Sequence, residues 1–147
     1  MVVYRSIILI CFAFLFFSCK KEEIKISEVP SITFNNLSPS SIQEFDGPIV
    51  FTINYIDGDG DLGENTAGIK NLFLKDNRNK LVYEYRFQQL APDNSNITIQ
   101  GSLSIELVNT AITNDSNEQT ATFDIYVVDR AGNRSNTITS SVLSIYR

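Results

Sequence analysis

Hydrophobic and polar residues alternate with a period of two along most of the chain beyond residue 28. In the clearest segment, Ile49, Phe51 and Ile53 alternate with the residues at even positions. The same alternation recurs over 81–88, 97–107 and 121–127, with shorter candidates at 31–36, 69–75 and 136–146. Successive side chains of a strand point to opposite faces, so the pattern predicts seven β-strands. No segment shows a convincing helical period, which favours an all-β fold.

The segments between these strands are rich in turn residues. They carry Pro, Gly, Asn and Asp clusters at 36–39, 46–48, 76–79, 92–94, 114–117 and 131–133. Seven short strands with such spacing predict an immunoglobulin-like two-sheet sandwich over residues 28–147. In this topology the loops after the second, fourth and sixth strands share one end, where the chain also enters. Gly101 marks a bend or close approach, and a change of phase at Ser140-Ser141 predicts a β-bulge.

The first eighteen residues follow a different pattern. Arg5 precedes an unbroken apolar run over 7–17, and polarity changes abruptly at Ser18. A cationic start, a short apolar core and a small residue before a cleavage point predict a secretory signal peptide at 1–18. The alternative, a membrane-spanning helix, is disfavoured because the run would reach only about 16 Å, against a hydrocarbon core of about 30 Å.

The sequence Phe16-Phe17-Ser18-Cys19 resembles the lipobox of bacterial lipoproteins, although both Phe residues depart from its usual pattern. The resemblance implies that Cys19 becomes the first mature residue and carries covalent lipid, palmitate included, with 19–27 as a tether. Three acyl chains would anchor the protein stably at the outer membrane. The following Lys20-Lys21-Glu22-Glu23 resembles a surface-export signal, which favours the cell surface over the periplasmic face. The alternative for this segment is a solvated charged tether.

Composition narrows the classes of function. The chain has 147 residues with 17 acidic and 12 basic side chains, and its mature part has no basic cluster beyond residue 25, which excludes a nucleic-acid partner. The absence of His removes the common nucleophilic and zinc-hydrolase sites, and two Cys cannot form a four-ligand zinc site. Only Asp57 and Glu64 could form a glycosidase-type carboxylate pair, and so dense a set of carboxylates is poorly suited to holding one acid protonated beside one base. We therefore expect no enzymatic activity.

The loop after the second predicted strand concentrates acidic residues. Asp57-Gly58-Asp59-Gly60-Asp61-Leu62-Gly63-Glu64 places four carboxylates among three glycines. Oxygen ligands at alternate positions on a flexible backbone are what Ca²⁺ requires, so the loop predicts a calcium site. It is not an EF-hand, because Leu62 and Gly68 occupy positions where that motif needs Gly and Glu. The alternative is a solvated turn without a metal.

A second segment, Val128-Asp129-Arg130-Ala131-Gly132-Asn133, follows the sixth predicted strand at the same end. Its Asp129 is either a further metal ligand or an acceptor of backbone N–H groups in its own turn. With these two motifs, residues 30–147 resemble the immunoglobulin-like or cadherin-like domains of small bacterial surface lipoproteins. The resemblance implies calcium at the end where the linker enters. It would be held by Asp57, Asp59, Asp61 and Asp129, with Glu64 and Glu28 as possible additional ligands.

These features predict a non-enzymatic, lipid-anchored envelope protein that serves as a calcium-stabilised interaction or structural module. The alternative is an accessory glycan-binding component of a carbohydrate capture or uptake assembly. The partner, a protein or a glycan, is not identified by the sequence. The alternation of Tyr83, Tyr85 and Phe87 with charged residues predicts that these rings belong to the core rather than to a sugar-binding surface, and 75–80 is expected to be a polar hairpin tip.

Overall fold

A computed structural model describes residues 25–147. The predicted signal peptide, Cys19 and the first part of the tether lie outside the described residues. The described part of the chain forms ten β-strands and no helix, which confirms the all-β class. The strands are β1 (Ser31–Ser38), β2 (Ser41–Gln43), β3 (Ile49–Asp57), β4 (Leu72–Asp76), β5 (Val82–Tyr85), β6 (Ile99–Leu107), β7 (Glu118–Ala121), β8 (Phe123–Val127), β9 (Ile138–Thr139) and β10 (Leu143–Tyr146).

The strands form the two layers of a sandwich. The first layer is an antiparallel sheet in the order β1-β3-β6. The second layer contains two ladders, β5-β4-β8-β9 and β2-β10-β7. The two ladders are continuous along the chain. Only Thr122 separates β7, in the second ladder, from β8, in the first. The chain changes layer between β1 and β2, and β2 then pairs in parallel with β10.

Ten strands replace the seven predicted because β2 was not predicted and two predicted strands are each divided in two. The sixth breaks at Thr122, whose carbonyl accepts the amide of Asn77 at 3.1 Å. In the seventh, Asp124 pairs with Thr139 but Ala121 pairs with Leu143, so the last segment contains one extra residue. This register shift confirms the predicted bulge.

The core lies between the two layers. Phe51 and Phe123 meet edge to face at its centre, with ring centroids 5.0 Å apart. Phe87 is buried, and Tyr83 and Tyr85 pack half-buried against the same core, as the alternation predicted. The fully or almost fully buried apolar set is Ile32, Leu37, Ile42, Ile49, Phe51, Ile53, Leu62, Leu72, Leu74, Phe87, Ile105, Leu107, Ala121, Phe123, Ile125, Val127, Leu143 and Ile145. Each large side chain contributes about 1.5–3 kcal/mol when buried, so the core is the main source of stability.

The predicted close approach at Gly101 is also observed. A Cβ atom at this position would lie 2.6 Å from the Tyr55 hydroxyl. The Tyr55 ring is in turn held edge to face against Phe87, with centroids 5.4 Å apart. Gly101 is therefore required because the Tyr55 ring crosses the strand there.

Three loops and the entering chain meet at one end of the sandwich. The amide of Ile97 donates to the carbonyl of Asp59 at 3.2 Å, which joins the loop before β6 to the acidic loop after β3. The amide of Arg130 donates to the carbonyl of Asp61 at 3.3 Å, which adds the loop after β8. The entering chain passes so close to Gly58 that a Cβ there would lie 2.4 Å from the carbonyl oxygen of Ser27. The predicted grouping of these loops with the chain entry is confirmed.

The opposite end contains the hairpin that joins β4 to β5. Asp76 is fully buried, and the Arg78 side chain, 9% exposed, folds inward onto it with Nη2 and Oδ2 2.6 Å apart. The predicted polar hairpin tip thus carries a buried ion pair that the sequence pattern did not indicate.

Within residues 25–147, no helix is long and apolar enough to cross a membrane.

Candidate metal centre

The acidic loop curls tightly because of its glycines. Gly60 and Gly63 have φ values of 80° and 99°, in the left-handed region that favours glycine. A side chain would also collide with neighbouring backbone, because Cβ atoms would lie 2.5 Å from the Ile97 oxygen and 2.3 Å from the Gln88 oxygen. Leu62 is fully buried and anchors the loop in the core. The loop is therefore held as a compact, fixed turn.

Three carboxylates converge inside this turn. One carboxylate oxygen from each of Asp57, Asp59 and Asp61 lies within 4.8 Å of the others. Asp57 is fully buried, and its Oδ2 accepts the amide of Leu62 at 3.0 Å. The Oδ1 atoms of all three residues are buried and have no hydrogen-bond donor among the described residues. Buried carboxylate oxygens without donors are costly, and a cation with oxygen ligands would satisfy all three.

The electrostatics of the site agree with this geometry. Burial, together with the negative charges of Asp129 and Asp59, raises the pKa of Asp61 to about 6, although the Ala131 amide that donates to it acts in the opposite direction. Burial also raises the pKa of Asp57, with the charge of Asp59 acting in the same direction. Without a cation, the cluster holds negative charges that repel one another. A divalent cation would remove this repulsion.

Asp129 lies beside the cluster but is engaged elsewhere. It is 6% exposed, and its charge raises the pKa of both Asp57 and Asp61. Its Oδ1 accepts the amide of Asn133 at 2.7 Å, and its Oδ2 accepts the Asn133 side-chain amide at 2.9 Å. This is the turn-capping arrangement that the sequence left open. Asp129 therefore contributes charge and holds its own turn, outside the converging group of three.

The two additional candidates have partners elsewhere and do not belong to that group. The Oε1 atom of Glu64 accepts the amide of Thr66 at 2.6 Å, which lowers the pKa of the Glu64 carboxyl. Glu28 is exposed and pairs with the Lys25 ammonium at 2.9 Å. In the described part of the chain, the converging set is Asp57, Asp59 and Asp61.

Arg130 is a residue of the site that sequence reasoning did not single out. Its Nη1 donates to the carbonyl of Gly63 at 3.0 Å, and the neighbouring Ala131 amide donates to Asp61 Oδ2 at 2.9 Å. The turn after β8 thus clamps the acidic loop. Arg130 was visible in the motif beside Asp129, but only tertiary structure shows that it reaches the other loop. A polar cleft of about 640 Å³, lined partly by Asp59, Asp61 and Arg130, opens beside the cluster.

A second concave surface lies on the solvent face of β2, β10 and β7. It encloses about 540 Å³ and is lined mainly by hydroxyl-bearing side chains with Glu118 and Gln119. Tyr146 lies at this groove and is 42% exposed. The residues of this face come from three strands that are distant along the chain, so no local sequence pattern indicates it.

Comparisons of the chain with protein-family models, with curated proteins and with solved structures gave no significant match, so its fold and site are interpreted from its own residues.

Proposed function

We propose that this chain is a non-enzymatic, lipid-anchored envelope protein whose sandwich domain is stabilised by calcium and serves as an interaction or structural module. One observation carries the calcium assignment. Asp57, Asp59 and Asp61 each bring one carboxylate oxygen within 4.8 Å of the others, and each has a buried Oδ1 atom without a hydrogen-bond donor among the described residues. The remaining parts of the proposal rest on the amino-terminal sequence and on the absence of His from the chain.

The choice of calcium follows from the donor set. The converging atoms are carboxylate oxygens, the ligands of hard cations, and no His or Cys lies in the cluster. Calcium accepts six to eight oxygens in irregular geometry, which suits a turn that can add carbonyl oxygens and water.

The position of the site gives it a structural role. The entering chain lies against Gly58, between the first two acidic residues of the loop. A cation that fixes this loop therefore also fixes the surface on which residues 26–27 rest. We expect calcium to stiffen the junction between the tether and the domain.

Calcium is expected to raise the melting temperature of the chain from residue 20 onward, which contains every core residue. A site filled at about a hundred times its dissociation constant adds about 2.7 kcal/mol, or about 10 °C for a domain of this size. The measurement is thermal unfolding in excess EGTA and then in millimolar CaCl₂.

The variant Asp59→Asn keeps the shape of the side chain and removes its charge, so the calcium-induced shift should largely disappear. Asp115→Asn, a substitution of an exposed residue in another loop, is the matched control and should retain the shift. An equal melting temperature of the unmodified chain in EGTA and calcium would contradict the calcium assignment.

The lipid anchor has its own test. Cys19→Ala removes the thiol that would carry the lipid, so the full-length protein should remain uncleaved and lack the lipid mass. Intact-mass spectrometry of membrane fractions measures both, and Cys11→Ala is the control that should mature normally. Normal processing of Cys19→Ala would exclude the anchor.

Glycan binding is the second candidate function, and the groove at Tyr146 favours it. An exposed ring beside hydroxyl and amide side chains is suited to a neutral sugar. The chain should then migrate more slowly in gels containing neutral polysaccharides, and Tyr146→Ala should restore its mobility. Unchanged mobility across a broad panel would reject this function.

A further inference from the structure

Strand β6 is an open edge of the first layer. The fourth predicted strand, observed as β5, pairs with β4 in the second layer, so β6 has β3 as its partner on one side only. Within residues 25–147, no backbone hydrogen bond of Ile99–Leu107 goes to a partner outside β3. Nine residues thus present alternate N–H and C=O groups along an unpaired edge.

The other edge of this sheet, β1, is covered at one residue and interrupted at another. The side-chain amide of Asn136 donates to the carbonyl of Ile32 at 2.8 Å, and its Oδ1 accepts the Ile32 amide at 2.8 Å. A register shift between Phe34 and Asn36 further interrupts β1. Both features are known to prevent edge pairing.

The β6 edge has none of these protections. Its sequence, IQGSLSIEL, contains no Pro and no Lys, and its one charged residue is Glu106 near the end. A groove of about 320 Å³ runs beside residues 103–106, and its lining combines buried Leu72 and Phe87 with the charged residue Arg86. The edge therefore combines free backbone groups with an adjacent groove of mixed polar and apolar lining.

We infer that β6 is a self-association edge, at which a second copy of this chain adds its own β6 in antiparallel orientation. A two-fold axis through Leu103 pairs all nine residues of the strand. In this register Ser102 lies opposite Ser104 of the second copy, and Gln100 lies opposite its Glu106. No like charges meet, and the amide of Gln100 faces the carboxylate of Glu106, which makes the edge complementary to itself.

Such pairing also sets the orientation of the two copies. β6 begins near the entering chain, because the Thr98 hydroxyl donates to the carbonyl of Gly58 at 3.2 Å. Antiparallel strands start at opposite ends, so the two chain entries lie at opposite ends of the pair. The calcium loops of the two copies are likewise kept apart, and association should not depend on calcium.

The test is the oligomeric state of the chain from residue 20 onward, measured by sedimentation velocity across a concentration series in calcium and in EGTA. We expect reversible dimers in both. The double variant Ser102→Lys/Ser104→Lys places like charges opposite one another and should weaken the dimer about tenfold or more. Ser102→Glu/Ser104→Glu should do the same, and an equimolar mixture of the two variants should dimerise again.

Thr33→Lys, on the interrupted β1 edge, is the matched control and should dimerise like the unmodified chain. The register has a separate readout, since residues 20–147 contain no Cys. A mixture of Ser102→Cys and Ser104→Cys chains should form disulfide-linked dimers faster than either variant alone. A monomer at every concentration, or a dimer insensitive to both charge pairs, would overturn the inference, and so would equal cross-linking of the single variants and the mixture.

Discussion

Replacement of Arg78 by alanine is expected to lower the free energy of unfolding by about 3–5 kcal/mol, the usual cost of removing one partner of a buried ion pair. Arg78 donates to both carboxylate oxygens of Asp76, to the carbonyl of Ala111, and to the side chains of Thr110 and Gln119. Asp76 itself is fully buried. Truncation therefore leaves a buried carboxylate facing a cavity, and it separates the β4–β5 hairpin from the segment before β7.

Urea unfolding measures this effect. Arg78→Lys should recover only part of the loss, because an ammonium cannot reproduce the bidentate fork. Arg134→Ala is the matched control. Its guanidinium carbon lies 3.7 Å from the centroid of the Tyr126 ring, and the loss of this contact should lower the free energy of unfolding by at most about 1 kcal/mol. A loss of stability no larger than that of the control would contradict the structural role of the pair.

The second large effect concerns pH in the absence of metal. Asp61 has its pKa raised from an ordinary value of 3.8 to about 6 in the folded state. Well below pH 3.8 the carboxyl is protonated in both states, and the folded state is not penalised. As pH rises from about 4 to about 6, the unfolded chain ionises first, and the folded state loses up to about 3 kcal/mol relative to it. The metal-free domain should therefore become less stable as pH rises through this range.

The measurement is urea unfolding in EGTA at about pH 4.5 and about pH 7. Between these two pH values, ionisation of Asp61 alone should lower the free energy of unfolding by about 2 kcal/mol. Asp61→Asn should remove this loss and make the metal-free domain more stable at neutral pH. Asp93→Asn is the control, because the Asp93 side chain lies at the same end of the sandwich but is 77% exposed, and this variant should keep the loss. Saturating calcium should abolish the pH dependence of the unmodified chain. A free energy of unfolding that stays constant or rises from about pH 4.5 to about pH 7 in EGTA would contradict the repulsion among the carboxylates of the metal-free cluster.

Local sequence patterns were sufficient to predict much of the fold. The alternation over 49–56 and 121–127 predicted strands that are observed, because a period of two with apolar residues on one side suits only a half-buried strand. The bulge near Ser140 was also predictable, since the apolar positions change phase there. Strand ends were less accurate, and the predicted strand at 69–75 is observed as Leu72–Asp76. Ends depend on pairing partners, which no local pattern contains.

For the candidate site, sequence and structure contributed different parts. The spacing of Asp57, Asp59 and Asp61 among glycines indicated which residues would meet, because glycine allows the tight turn that brings alternate side chains together. The spacing could not decide whether Asp129 is a metal ligand or accepts N–H groups of its own turn. The acidic loop and the turn at Asn133 are different loops, and only folding shows which of them Asp129 contacts.

Residue type and spacing along the chain were enough to identify the strand periodicity, the candidate cation ligands and the candidate lipidation residue Cys19. The folded arrangement was needed to show that Asp129 caps its own turn, that Arg78 is buried against Asp76, and that β6 is left as an open edge. Each of these depends on which distant segments become neighbours, and that choice is made by the packing of the whole core rather than by any local pattern.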